Sequence, residues 1–429
     1  MRSKKRPTRL IAVLVILAST LFASPGRAAA QQETILHSFP GSSEDGYDPT
    51  TSLIFDPAGN LYGTTYFGGT PGGCPASDGC GIVFELTPVA GGGWTEKVLH
   101  AFKDNGKDGY YPNGALTRDG AGNLYGTTFQ GGSHNDGTVF ELVPGAGGIW
   151  KEMILHNFNV SGNDGYEPVG ALVLDAAGNL YGTTDRGGSH QQGTVFELTH
   201  LAGGGWSEKI LHNFNANATD GYYPQGVIFD SAGNLYGTTF AGGAYGVGTA
   251  FMLKHATGGG WTEKNLHNFA NTPDGDYPHA SLVFDSAGNL YGTTGGGGAY
   301  SEGTVFELTL TTGGNWMETV LYSFSSNING TNDGALPSDT LVLDAAGNLY
   351  GTTDVGGASN NGTVFRLSPA SGGTWTEDIL YSFGGIPDGD YPAVGLIFDP
   401  VGNLYGTTSA GGAHSNGGLV GGTVFELTP

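Results

Sequence analysis

The chain has 429 residues, of which 79 are glycine and 38% are hydrophobic. That is too apolar for a disordered polymer, and without a Gly-X-Y period it is not collagen-like. Acidic side chains number 39 against 16 Lys and Arg, a formal net charge of −23, which argues against nucleic acid or anionic lipid as a partner.

Residues 1–30 read as a signal peptide. Arg2, Lys4, Lys5, Arg6 and Arg9 form its basic start, Leu10 to Ala23 its apolar segment, and Ala28-Ala29-Ala30 the small residues a signal peptidase needs. The apolar segment is short for a membrane span, and no second one follows. Cleavage before Gln31 removes six basic residues and leaves 10 against 39 acidic ones. No Cys follows the apolar segment, so no lipid anchor is expected. The mature chain, 31–429, is expected as a monomer in the extracellular space or periplasm.

From residue 60 onward one segment recurs. Asn-Leu-Tyr-Gly-Thr-Thr begins at Asn60, Asn123, Asn179, Asn234, Asn289, Asn348 and Asn403, at steps of 55 to 63 residues. Such a period means one supersecondary unit used seven times. Each unit offers four strand-length segments. In the third these are Trp150 to Phe158, Ala171 to Asp175, Asn179 to Thr184 and Gly193 to Thr199. They are rich in β-branched and aromatic residues and bounded by Gly, Asp, Asn or Pro. No segment has a 3.6-residue apolar period, so helices should be rare.

The reading is therefore all-β: a seven-bladed β-propeller of four-stranded antiparallel blades. Segments like Ala171 to Asp175 would be innermost and the Trp-led segments outermost. The mature chain opens with an outer-type segment, Glu33 to Phe39, and ends with a third-type segment, Gly422 to Thr428. The N-terminal strand is thus expected to pair with the C-terminal blade and close the ring, which removes free sheet edges. The charged Glu141 is expected where a blade edge meets water.

The repeat Asn-Leu-Tyr-Gly-Thr-Thr-x-x-Gly-Gly followed by Gly-Thr-Val-Phe-Glu-Leu resembles the bacterial GloVer-type tandem repeat of "choice-of-anchor" secreted proteins. The resemblance spans nearly the whole mature chain. It implies export and a repeat array, and it carries no catalytic residues or cofactor with it. Relatives often bear a C-terminal sorting segment; this chain ends at Pro429 just after its last strand, so release is expected.

Propeller geometry places two loop sets around one mouth of the central channel. The first set carries Asp-Gly-x-x-Pro, with Tyr47, Tyr110, Tyr111, Tyr166, Tyr222, Tyr223, Tyr277 and Tyr391 between Gly and Pro. Asp, Gly and Pro suit a turn. The tyrosines either pack between blades or offer rings for sugar CH faces to stack on. The second set follows the Thr-Thr pair and is longest in the first and seventh repeats, which points to Tyr66, Phe67, His414 and Asn416. Cys74 and Cys80 are expected to form a disulfide in an oxidising compartment.

His37, His100, His156, His212 and His267 share one outer-strand position, where Tyr322 and Tyr381 replace His, which suggests polar packing. His134, His190 and His414 stand in top loops of separate blades, and Lys107 interrupts the calcium-like run Asp104 to Asp108, so no metal and no cofactor is expected. No Gly-x-Ser-x-Gly, P-loop or His-Glu-x-x-His motif is present. The function expected is non-catalytic binding or scaffolding, with carbohydrate or an extracellular protein as partner. A polysaccharide lyase or hydrolase and a structural matrix component are the alternatives.

Overall fold

Leu-Tyr-Gly-Thr-Thr is buried along its whole length in every repeat, Leu61–Thr65 among them, as a strand must be when sheets press on both its faces. The computed structural model describes residues 32–41, 45–69, 74, 79–217, 219–326, 332–392, 394–414 and 421–428. The predicted signal peptide and Asn416 lie outside them. The described strands form seven antiparallel four-stranded blades, and in the first six the strands run from channel to rim in sequence order. In blade 1 these strands are Ile54–Phe55, Leu61–Thr65, Ile82–Pro88 and Trp94–Ala101. All six Trp residues open outer strands. Among the described residues there is no α-helix, and none is long and apolar enough to cross a membrane.

Closure occurs as the strand order requires. Gln32–Ser38 pairs antiparallel with Thr423–Thr428, with Glu33 opposite Leu427 and Ile35 opposite Phe425. The N-terminal strand is the outer strand of blade 7.

The blades adhere through a repeated aromatic pair. Phe39 meets Phe84 edge to face at 5.3 Å, and Phe102–Phe140, Phe158–Phe196, Phe214–Phe251, Phe269–Phe306, Phe324–Phe365 and Phe383–Phe425 repeat the contact. Each pair joins the end of one outer strand to the third strand of the next blade, and every member is buried. Edge-to-face pairs add about 0.5–1.5 kcal/mol beyond their burial.

Glu141 departs from expectation. It is only 7% exposed, and its carboxylate accepts a hydrogen bond from Tyr125 Oη at 3.0 Å. The tyrosine of each Asn-Leu-Tyr segment leans toward the third strand, so the glutamate is covered instead of reaching water.

A polar joint lies beside each aromatic pair. The outer-strand His of one blade faces the Asp of the next Asp-Gly turn, as in His100 Nε2 to Asp108 Oδ2 at 3.3 Å and His267 Nε2 to Asp274 Oδ2 at 2.9 Å. Tyr322 and Tyr381 replace His at two joints and donate to Asp333 and Asp388. A glutamate from the following outer strand completes each set. Burial, reinforced by the neighbouring Asp, raises Glu33, Glu96, Glu208, Glu263 and Glu318 to about 7. Glu152 and Glu377 are raised for the same reasons.

This packing has consequences for stability. A carboxyl whose folded pKa exceeds its unfolded value binds a proton more tightly when folded. These joints therefore favour the folded state fully below about pH 4.5 and lose that contribution as pH rises through about 7. The melting temperature should fall between pH 5 and pH 8, and Glu208→Gln should reduce the fall; a melting temperature flat across that range would refute the assignment. Separately, Phe39→Ala at the closure and Phe214→Ala within the array should each destabilise by about 3–5 kcal/mol in denaturant unfolding. A closure variant costing less than about 1 kcal/mol would mean the ring does not depend on its seam.

Candidate functional site

The two loop sets are laced together by backbone. Gly46 of the Asp-Gly turn pairs with Gly68, and Gly275 with Gly297, with equivalents in every blade. Glycine is required here because a Cβ on Gly46 would collide with the Thr65 side chain. Two residues on, the residue before Pro adopts a left-handed backbone in all seven repeats: Asp48, Tyr111, Glu167, Tyr223, Tyr277, Leu336 and Tyr391, with φ between 55° and 60°. Side chains other than Gly are strained there. The conformation turns the N–H toward the preceding blade, so that Tyr111 donates to Cys80 O at 2.9 Å and Tyr277 to Val247 O at 2.8 Å. The residue before Pro therefore ties two blades and projects its side chain at the mouth.

The sequence-predicted residues divide by burial. Tyr66 stacks on Tyr111 at 4.8 Å and Phe67 on Tyr47 at 5.3 Å, forming one aromatic cluster between blades 1 and 2. Tyr47 and Tyr111 are buried within it, and Tyr110, 1% exposed, donates to Asn135 Oδ1 at 2.6 Å. These rings have their faces covered by protein. Tyr166 is half-buried against the core shared by blades 2 and 3. Tyr222 packs edge to face on Tyr223, and the Arg186 guanidinium lies 4.9 Å over the Tyr223 ring. Tyr391 is half-buried and His414 exposed. Cys74 and Cys80 are joined in a disulfide beside the aromatic cluster. Tyr277 is different: it is 40% exposed and borders open space.

That space is a cleft of about 600 Å³ spanning blades 4 to 6. Its origin is a missing side chain. The residue after Thr-Thr is Tyr66, Phe129, Asp185, Phe240, Asp354 or Ser409 in six repeats, and Gly295 in the fifth. Gly296 continues the gap, where the other repeats carry Phe67, Gln130, Arg186, Ala241, Val355 and Ala410. One wall is aromatic: Tyr277 stacks on Phe240 at 5.0 Å, and Phe240 contacts the His279 ring at 4.6 Å. The other wall carries Leu336, Ser338 and Asp354. Asp276 takes the position that is Tyr in the first four repeats. It is 8% exposed, and its Oδ1 is buried without a hydrogen-bond partner. That atom lies directly over Gly296, where a Cβ would strike it. Burial raises the pKa of Asp354, and burial with the nearby Asp274 raises that of Asp276.

His279 connects the cleft to the central channel, because it lines both. The channel, about 410 Å³, is walled by the innermost segments of all seven blades. Thr51, Gly114, Gly170, Gln225 and Ala280 occupy one wall position in the first five repeats, and Asp339 holds it in the sixth. Asp339 Oδ2 is buried without a partner, and burial, then Asp354, pushes its pKa up to about 8. His279 is exposed to solvent, and partial desolvation against the cleft wall lowers its pKa.

Among the described residues, donor atoms converge to within 4.8 Å at three blade joints, His100–Asp108–Glu152, His156–Asp164–Glu208 and His267–Asp274–Glu318. Sequence spacing did not reveal them, since each draws on two blades. Sequence reasoning also passed over His279, Asp339 and Asp354. The available signal was the run Gly295-Gly296-Gly297-Gly298, where every other repeat has a side chain directly after Thr-Thr.

A family model described as the Gloeobacter/Verrucomicrobia repeat matches residues 24–215, 151–332 and 319–429. No curated protein matches the chain. Among solved structures, a gluconolactonase from Xanthomonas campestris is similar at 13% identity and a TM-score of 0.39, over 72% of this chain and 82% of that one. A luciferin-regenerating enzyme is similar at 16% identity and 0.43, over 74% and 91%. A putative oxidoreductase (glucose dehydrogenase) from Thermus thermophilus is similar at 17% and 0.42, over 74% and 96%.

Burial separates packing rings from available ones, and stability measurements should follow it. Tyr111→Ala should destabilise by about 3 kcal/mol, in the range for large buried side chains. Tyr277→Ala should lose less than about 1 kcal/mol. Equal losses in chemical denaturation would mean that Tyr277 is a packing residue too.

Proposed function

The chain belongs to the Gloeobacter/Verrucomicrobia repeat family, and we propose that it is an exported, non-catalytic binding propeller that recognises extracellular polysaccharide in the cleft of blades 4 to 6. One observation carries this reading. The cleft sets an exposed aromatic ring, Tyr277 backed by Phe240, beside carboxylates, one of which, Asp276, keeps a buried oxygen without a partner. Sugars present apolar CH faces and outward hydroxyls, so a ring and an unpaired acceptor match both parts. The basic n-region, the Ala28-Ala29-Ala30 stretch and the Cys74–Cys80 disulfide support export to an oxidising compartment.

Gly295 makes the test clean. Its backbone is not left-handed, and six repeats carry a side chain at that position. Gly295→Phe should therefore fill the cleft and leave the fold intact. On a glycan array the mature chain should bind at least one polysaccharide class. Gly295→Phe should abolish that binding, and Tyr277→Ala should weaken it by roughly tenfold or more, the loss of one stacked ring. Failure to bind any glycan would refute the reading, and shortened products on incubation would turn it toward the lyase or hydrolase alternative.

A further inference from the structure

We infer that the cleft selects a saccharide bearing a free amine, a hexosamine polymer in its cationic form. This rests on the saccharide reading above and names the class of sugar. The cleft is one-sided in charge. Asp276 and Asp354 line it, and no Lys or Arg is among the described residues that line it. At the mouth of blade 3, by contrast, a fixed cation is present. Arg186 sits between Glu167 and Asp185 at 3.3 and 3.4 Å. In the cleft none of the described lining residues supplies a fixed counter-charge.

An unpaired atom points the same way. Asp276 Oδ1 is buried, has no donor, and sits over the glycine floor of the cleft. Leaving buried acceptors unsatisfied is unfavourable unless a bound group completes them. Among the described lining residues His279 is the one side chain able to become cationic.

An ammonium fits these facts better than a hydroxyl. It offers three donors where a hydroxyl offers one, and it brings the positive charge that the lining lacks. Hydrogen bonds to ionised partners are roughly twice as strong as neutral ones. The exposed ring of Tyr277 can attract a cation over its face as well as stack on a sugar. The acidic exterior, with 39 Asp and Glu in the whole chain, raises the local concentration of a polycation.

The experiment uses the mature chain and three β-1,4-linked hexasaccharides of equal length: glucosamine, N-acetylglucosamine and glucose. Calorimetry at pH 6 and moderate salt should show the glucosamine oligomer binding at least about tenfold more tightly than the other two. Asp354→Asn should remove that preference, and Asp276→Asn should do the same if it folds; loss of preference in either supports the assignment, and its retention in both would overturn it. Equal affinity for all three, abolished by Gly295→Phe, would overturn the amine proposal and leave the saccharide reading standing. Glucosamine binding that survives Gly295→Phe would place the polymer on the acidic exterior and also overturn it. Absence of binding by all three would overturn both.

Discussion

Phe39 and Phe84 meet edge to face across the seam of the ring, and the same pair recurs at each of the other six blade boundaries. A four-stranded blade has two apolar faces and no layer of its own to cover them. Only another blade can do so, and the last blade needs the first. The N-terminal strand meets that need. It carries its own phenylalanine to the seam, so the closing boundary is built from the same parts as the internal ones.

Everything near the rim is arranged around that contact. The outer strand bulges by one residue just before it, between Val98 and His100 in blade 1. Bulges re-aim side chains, and here the next residue reaches the Asp of the adjoining turn. That Asp anchors the turn whose glycine pairs with the second loop set. The residue before Pro then takes its strained backbone, held by a hydrogen bond to the preceding blade. Aromatic pair, polar joint and mouth geometry thus form one mechanical sequence from rim to channel.

The features legible in the sequence were those the repeat imposes seven times. Asn-Leu-Tyr-Gly-Thr-Thr announced the second strand, and the displaced outer-type segment at Glu33 announced closure. Glu141 was misread because strand alternation reports which face a residue occupies, and a neighbouring tyrosine can still cover that face. The joints were hidden because His100 and Glu152 come from different blades, far apart in sequence, and nothing local relates them. The cleft was hidden for a different reason. Attention to insertion lengths favours the loops at Cys74 and His414, whereas the open space arises from an omission at Gly295.

An omission is the change this ring tolerates best. The backbone N–H after Thr-Thr is occupied: Tyr66, Gly295, Asp354 and Ser409 all donate to the carbonyl of the residue before Pro. The side chain at that position has no shared duty, and it varies from tyrosine to aspartate to serine around the ring. Its neighbours are fixed, since the Thr-Thr pair is buried and the following Gly-Gly meets the Asp-Gly turn. Removing one side chain therefore opens a cleft without disturbing a blade boundary. The carboxyl of Asp276, packed over the adjacent glycine, becomes part of the lining of that cleft. A ring made of near-identical units acquires an asymmetric site at a position where the repeat imposes no common side chain.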